Sequence, residues 1–310
     1  MSITVLGIDT SNYTTSVAVV TDGVVRENIK IPVFVNNGEK GVRQSDAVFS
    51  HVKNLPIAME KIEHLPKVDG VGYSAAPRDC EGSYMPCFLT GEALARGIAK
   101  THNVKAIRCS HQAGHVMAAL YSAGKQELLN ERFAAFHVSG GTTEILLVEP
   151  KMKITKIGGT VDLTAGQAID RIGVMLGLSF PCGAALEKLA LEGNLVRDKI
   201  CVNGLECNLS GLENKAKQML QKGISHEDIA AYTIEFVRRT LGKMSENLRQ
   251  LYPDIPIVYA GGVMSCQIIR RDFEKRFHAS FAEPAFSCDN ATGVALIAYN
   301  KLLEEIPNES

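Results

Sequence analysis

His111 and His115 stand four residues apart in a stretch that reads as the start of a helix, so both imidazoles share one helix face. That spacing suits two ligands of one metal ion. A zinc-protease version needs a glutamate directly after the first histidine to act as general base; here the position is Gln112, which takes up no proton, and proteolysis is disfavoured. Asp289, in Ser287-Cys288-Asp289-Asn290, heads the last predicted helix. It reads either as an ordinary N-cap or, if the fold returns that helix to the imidazoles, as a third ligand. Two neutral imidazoles and one carboxylate would make a Lewis-acid site with positions open to substrate. Zn2+ or Fe2+ suits it, and ligand type does not choose between them.

Three turns could hold an anion or nucleotide. Val138-Ser139-Gly140-Gly141-Thr142 follows a strand, and consecutive N–H groups beside glycines can cradle a phosphate, although a plain hairpin uses the same residues. Ala260-Gly261-Gly262-Val263 joins a buried-type strand to a helical stretch that reaches past Cys266. Asp9-Thr10-Ser11 occupies the matching turn in the first half of the chain.

The elements that must position these residues come in one order written twice. Ile3–Asp9, Thr15–Val20 and Val24–Ile29 are β-branched runs separated by turns, followed by a helix with Val48, Val52, Leu55, Met59 and Ile62 at helical spacing. Strand, helix, strand and helix then follow, at Gly70–Ser74, Leu89–Ala99, Val104–Arg108 and Gln112–Ala123. The second half repeats the opening with Phe133–Ser139, Thr143–Glu149 and Lys153–Gly158. Helices are predicted near 163–176, 184–192, 212–222 and 229–251, then a strand at Ile257–Ala260, and helices at 264–277 and about 290–304. Three antiparallel strands and then alternating helix and strand, twice over, predict an α/β protein of the actin-like ATPase (ASKHA) fold: two duplicated ribonuclease-H-like domains with a cleft between them. The β-β-β openings count against a single doubly wound sheet. Residues 1–125 plus 290–310 form the first expected domain, and 126–289 the second, with a helical insertion.

The 310 residues are 45% hydrophobic and 22% charged, as in ordinary globular proteins, with a net charge of −1. No global field therefore draws the chain to nucleic acid or membrane, and any RNA contact must come from a local patch or a partner. Arg238-Arg239, Arg270-Arg271 and Lys275-Arg276 are candidate patches, or simply solvated helix faces. No apolar run reaches 18 residues, the first residues lack a secretory pattern, and none of the eight cysteines forms a C-x-x-C pair. A cytoplasmic protein with reduced thiols is the expectation.

With these pieces in order, the sequence resembles the tRNA threonylcarbamoyl transferase (TsaD) family, called O-sialoglycoprotein endopeptidase or glycoprotease in older usage. The resemblance is collinear over nearly the whole chain. It runs through Gly7-Ile8-Asp9-Thr10-Ser11, Ser110-His111 to His115, Val138 to Thr142, and Ala165-Gly166-Gln167-Ala168-Ile169-Asp170-Arg171. Leu176 to Gly183, Leu209-Ser210-Gly211-Leu212, Ala260 to Val263 and Cys288-Asp289-Asn290 complete it. It implies transfer of a threonylcarbamoyl group from its adenylate to N6 of adenosine 37 in tRNA, or a related acceptor, with companion proteins of that system or a paralogous dimer partner. It implies that His111, His115 and Asp289 hold one divalent metal, Fe2+ or Zn2+. It also implies that Asp9, Ser11, Val138, Ser139, Gly140, Gly141, Thr142, Asp170, Gly183, Gly261, Gly262 and Cys266 bind the adenine nucleotide or adenylate, with Asp170 on the ribose.

The departures from the family pattern are specific. Its first-turn acids are Asn12-Tyr13-Thr14 here, and the histidine after its glycine pair is Thr142. Its Asp-Asp-Ala-Ala-Gly-Glu is Asp162-Leu163-Thr164-Ala165-Gly166-Gln167, its asparagine after the second glycine pair is Cys266, and its Ser-Gly-Leu-Lys ends in Glu213. The loop Pro77 to Pro86 is longer than its Gly-Pro-Gly turn. Two expectations compete with the transferase: a non-catalytic nucleotide-binding scaffold that pairs with a true transferase, and an ATPase or small-molecule kinase, which the missing first-turn acids and the unusual metal site disfavour.

Overall fold

A computed structural model describes residues 2–11, 13–33, 42–287 and 291–305. The chain divides into two compact units, residues 1–121 with 286–310, and residues 122–285.

Unit 1 opens with β1 (Thr4–Asp9), β2 (Thr14–Thr21) and β3 (Val24–Pro32). Helix α1 (Gln44–Glu60), β4 (Gly70–Ala76), α2 (Phe88–His102), β5 (Lys105–Ser110) and α3 (His111–Ser122) follow. Its sheet has the order β3-β2-β1-β4-β5, with β1–β2 and β2–β3 antiparallel and β1–β4 and β4–β5 parallel. Every residue of β1 is buried, as a strand covered on both faces requires, so Asp9 at its end is delivered to the interior. The buried face of α1 is Ala47, His51, Leu55 and Ala58, turned from the expected one; Val52 is exposed. His51 causes the shift. It is fully buried, with Nδ1 2.8 Å from Thr15 Oγ1 on β2, so a polar side chain takes a place that periodicity assigns to valine.

Unit 2 repeats the plan with β6 (Phe133–Val138), β7 (Thr143–Glu149), β8 (Lys153–Thr160), α4 (Ala165–Met175) and α5 (Gly183–Ala190). After these come β9 (Cys201–Asn203), β10 (Glu206–Asn208), α6 (Ser210–Gln221), α7 (His226–Leu251), β11 (Ile257–Ala260), α8 (Gln267–Phe277) and β12 (Ser280–Phe281). The order β12-β11-β6-β7-β8-β10-β9, read from the other end, repeats that of the first sheet, extended by the β9–β10 hairpin, which hydropathy did not reveal. Thr164 caps α4 by accepting the Gln167 N–H, and Ser225 caps α7 by accepting the Asp228 N–H. Phe136, Tyr259 and Phe281 stack across β6, β11 and β12, with centroid spacings of 4.8 and 5.2 Å. The buried Tyr259 hydroxyl meets Ser245 Oγ at 2.6 Å, so the one polar atom of that stack is satisfied.

Helix α9 (Thr292–Glu305) belongs to unit 1. A side chain on Gly7 or Gly72 would collide with its backbone, and one on Gly293 would collide with the Gly114 carbonyl. The first turn of α9 is thus seated on α3 at a residue lying between His111 and His115 in sequence.

Candidate functional site

In unit 1, β5 runs straight into α3, and Ser110 makes the junction. Its Oγ accepts the Ala113 N–H at 3.1 Å and donates to Asp79 Oδ2 at 2.9 Å, fixing the first turn of α3 and anchoring the long loop after β4. On that turn His111 Nε2 and His115 Nε2 point at each other, 2.9 Å apart. The other nitrogen of His111, Nδ1, lies 2.9 Å from Asp9 Oδ2. Asp9 is 1% exposed, and its carboxylate also accepts from Ser11 N (3.0 Å), Ser11 Oγ (3.2 Å) and Ser74 Oγ (2.5 Å). A carboxylate so placed takes the Nδ1 proton as a hydrogen bond and leaves His111 Nε2 as a lone pair. Two imidazole nitrogens about 2.0–2.1 Å from one metal ion stand about 3 Å from each other, so this pair fits a divalent cation. Among the described residues no three His, Cys, Asp or Glu side chains form a metal-holding group; Asp289 lies outside the described residues.

Asp9 and Ser11, also expected on the nucleotide, are both buried; Asp9 accepts from Ser11 and lies against His111. Ser74 and Asp79 were not singled out in the sequence. Single polar residues in a strand end and a loop carry no pattern, and their role comes from partners 65 and 31 residues away.

In unit 2 the β6–β7 turn, the start of α4 and the end of β11 come together. Ser139 N donates to Thr142 O at 2.7 Å, closing the turn. Thr164 Oγ1 donates to Gly140 O at 2.8 Å, and Gly166 lies against Ser139 and Gly140 with no room for a Cβ. Gly261, at φ +100°, presses its Cα on Val138. Gly140, Gly141, Gly183 and Gly262 differ: a Cβ on any of them would meet nothing within 4 Å, and none has a positive φ. Neither packing nor backbone geometry calls for glycine there, and the empty space beside each leaves room for a ligand. Asp170 Oδ1 accepts the Cys182 N–H at 2.8 Å, next to Gly183. Burial raises the Asp170 pKa, partly opposed by that N–H. Cys266, four residues after Gly262, is buried in the core of unit 2, and desolvation pushes its thiol up to about 12.

Comparison with known proteins follows this geometry. The family model for tRNA N6-adenosine threonylcarbamoyltransferase (TsaD) matches residues 32–296. The chain belongs to that family. It is 30% identical over 311 residues to the tRNA N6-adenosine threonylcarbamoyltransferase of Kosmotoga olearia, covering 96% of this chain and 93% of the relative. The enzyme of the same name from Thermosipho africanus is 28% identical over 326 residues, covering 99% and 96%. Among solved structures, component A of the Acidaminococcus fermentans (R)-2-hydroxyglutaryl-CoA dehydratase superposes with TM-score 0.55 at 17% identity, covering 97% of this chain and 99% of that one. Full-length HypF, in a phosphate- and nucleotide-bound form, gives 0.62 at 14% identity, covering 98% and 47%. At such identities the likeness establishes the fold, which is the actin-like one.

One departure from the TsaD pattern, at Glu213, and one retained acid, Asp162, have visible partners. Glu213, where the family has lysine, binds Arg171 on α4 at 3.1 Å and Lys217 at 2.6 Å, so the reversed charge is neutralised within the protein. Asp162 accepts from Leu209 N (2.8 Å), Ser210 N (3.2 Å) and Ser210 Oγ (2.6 Å), so this carboxylate holds the Leu209-Ser210 segment at the head of α6. Two members of the basic runs on α7 and α8 belong to an ion-pair network: Arg238 lies between Glu235 and Asp272, and Arg276 between Asp272 and Glu246. No helix of the described residues is long and apolar enough to cross a membrane.

Proposed function

We propose that this chain is a metal-dependent transferase that moves a threonylcarbamoyl group from its adenylate to N6 of adenosine 37 in tRNA. The observation that carries the proposal is the convergence of His111 Nε2 and His115 Nε2, with the far nitrogen of His111 held by a buried carboxylate. A scaffold has no use for a lone pair prepared in this way. Asp289, three residues before α9, is the third ligand in this reading; the seating of α9 on Gly114 of α3 supports it. A divalent cation there, Fe2+ or Zn2+, supplies Lewis-acid polarisation of the donor carbonyl.

The residues of the chain have binding and orienting tasks. The N–H groups of Gly140 and Gly141 take the adenylate phosphate, Asp170 accepts from a ribose hydroxyl, and the open faces of Gly183 and Gly262 leave room for the flat base. In the transfer, the N6 amine forms a C–N bond to the carbamoyl carbon, the bond from that carbon to the phosphate oxygen breaks, AMP leaves, and the amine proton passes to solvent. Cys266 replaces a family asparagine that reaches the base or ribose, so binding of the donor relies more on backbone groups of the Val138 to Thr142 turn here. Companion proteins of the threonylcarbamoylation system are expected to present the tRNA, since the chain carries a net charge of only −1.

The test is to measure bound metal in the purified protein, then its transfer activity on tRNA with companion proteins present, for the wild type and His111→Ala. Loss of metal and of transfer together supports the reading. A wild-type protein that binds neither metal nor adenine nucleotide overturns it in favour of a scaffold.

A further inference from the structure

The turn between α4 and α5 presents a side chain that the packing of unit 2 does not use. Phe180 is 74% exposed, more than any other large apolar side chain among the described residues. One apolar residue on a surface needs no explanation by itself. What sets Phe180 apart is the backbone on either side of it. Leu178 N–H donates to Gly173 O at 2.9 Å, Gly177 N–H to Val174 O at 3.0 Å, and Cys182 N–H to Asp170 Oδ1 at 2.8 Å. Cys182 is buried against Gly173, where an added Cβ would collide with its side chain. The exposed run Ser179-Phe180-Pro181 is thus tied to α4 at both ends, and the ring stands in solvent between the two tethers.

Its neighbours are two residues assigned above to the nucleotide. Asp170 pins the turn through one carboxylate oxygen, and among the described residues the other oxygen has no hydrogen bond. Gly183 is exposed, and a Cβ on it would meet nothing within 4 Å. It follows Phe180 by three residues, a span of at most about 11 Å even in extended chain, so a ligand lying over Gly183 is within reach of the ring. An acceptor for a diol, a face with room for a flat ring and an aromatic surface to stack on it therefore share one pinned turn.

We propose that Phe180 is the stacking platform for the adenine ring of the nucleotide whose ribose Asp170 holds; this rests on the nucleotide reading given above. The phenyl face supplies affinity for the base, while Asp170 and the glycine turn orient ribose and phosphate. Because the turn is fixed before the ligand arrives, little order has to be gained on binding.

The chain contains no tryptophan, so Phe180→Trp places a single indole at this position and keeps an aromatic face there. AMP is expected to quench its fluorescence and to shield it from acrylamide, whereas ribose 5-phosphate, which lacks the base, does neither. Leu191→Trp, at an exposed position at the other end of α5, is the control and shows no base-dependent quenching. In equilibrium dialysis with radiolabelled AMP, Phe180→Ala is expected to bind about tenfold more weakly than the wild type, and Phe180→Tyr to bind as the wild type does. The urea midpoint of Phe180→Ala stays at the wild-type value, because the ring is exposed. Equal AMP affinity in the wild type and Phe180→Ala overturns the platform and leaves the nucleotide reading intact. So does a Phe180→Trp protein that binds AMP in dialysis without a change in fluorescence; the ring is then a contact for a partner molecule. A wild-type chain that binds no AMP overturns the platform and the nucleotide reading together.

Discussion

His111 Nδ1 lies 2.9 Å from a carboxylate oxygen of Asp9 that also accepts the Ser11 hydroxyl, while the other oxygen takes the Ser11 N–H and the Ser74 hydroxyl. Four donors thus fix the acid that fixes the imidazole. Asp9→Asn keeps the shape but removes the charge that holds the proton on Nδ1. Zinc affinity is expected to fall about 10–100-fold in competition with a chromophoric chelator, the usual cost of losing such a partner. Wild-type zinc affinity in Asp9→Asn would refute a positioning role for Asp9.

Stability should fall in acid through His51. Burial lowers its pKa from 6.5 to about 4, against a smaller opposing pull from the Asp9 charge. Above pH 6.5 both folded and unfolded states hold the ring neutral and the residue contributes no pH dependence. Between pH 6.5 and about 4 the unfolded state binds the proton and the folded state does not, so stability drops as pH falls, by at most about 3 kcal/mol. Urea midpoints at pH 7 and pH 5 should differ less in His51→Gln than in the wild type.

The fold was largely legible because its strands are β-branched runs between turn residues; the boundaries expected for Ile257–Ala260 are those observed. The face of α1 was not, since a histidine hydrogen-bonded to Thr15 occupies a core position and hydropathy treats it as polar. The hairpin Cys201–Asn208 escaped for another reason: strands of three residues are too short to show alternation. In the candidate site the imidazole pair announces itself by spacing along one helix. The task of Asp9 does not, because its partners Ser74 and His111 are 65 and 102 residues away and only the β1–β4 pairing and the β5–α3 junction bring them to it.

Asp162 links two segments of unit 2. Burial pulls its pKa up, but the N–H and hydroxyl donors of Leu209, Ser210 and Leu163 outweigh this and hold the carboxyl well below the usual range. A depressed carboxyl contributes stability above its unfolded pKa of about 3.9 and loses it as pH falls further. Asp162→Ala is therefore expected to speed amide hydrogen exchange in the first turn of α6 at neutral pH. The difference from wild type should shrink as the wild-type carboxyl protonates in strong acid. Equal exchange rates at pH 7 would show that the head of α6 is held by other contacts.

The glycines of unit 2 divide into two kinds, and substitution should separate them. Gly261 has φ +100°, and a Cβ there would run into the backbone of Val138. Gly261→Ala must strain the backbone and push β11 from β6, at a cost of about 2 kcal/mol or more, visible as a lower urea midpoint. Gly140 and Gly262 have ordinary φ values and empty space where a Cβ would go. Gly140→Ala and Gly262→Ala should stay within about 0.5 kcal/mol of wild type. If these faces admit the adenylate, the added methyl groups occupy the ligand's place, and adenine-nucleotide affinity should fall about tenfold, equivalent to about 1.4 kcal/mol. Lost affinity without lost stability marks a residue whose small size serves the ligand. Unaltered nucleotide binding in both alanine variants would place the nucleotide elsewhere and reduce the Ser139 to Thr142 turn to a hairpin.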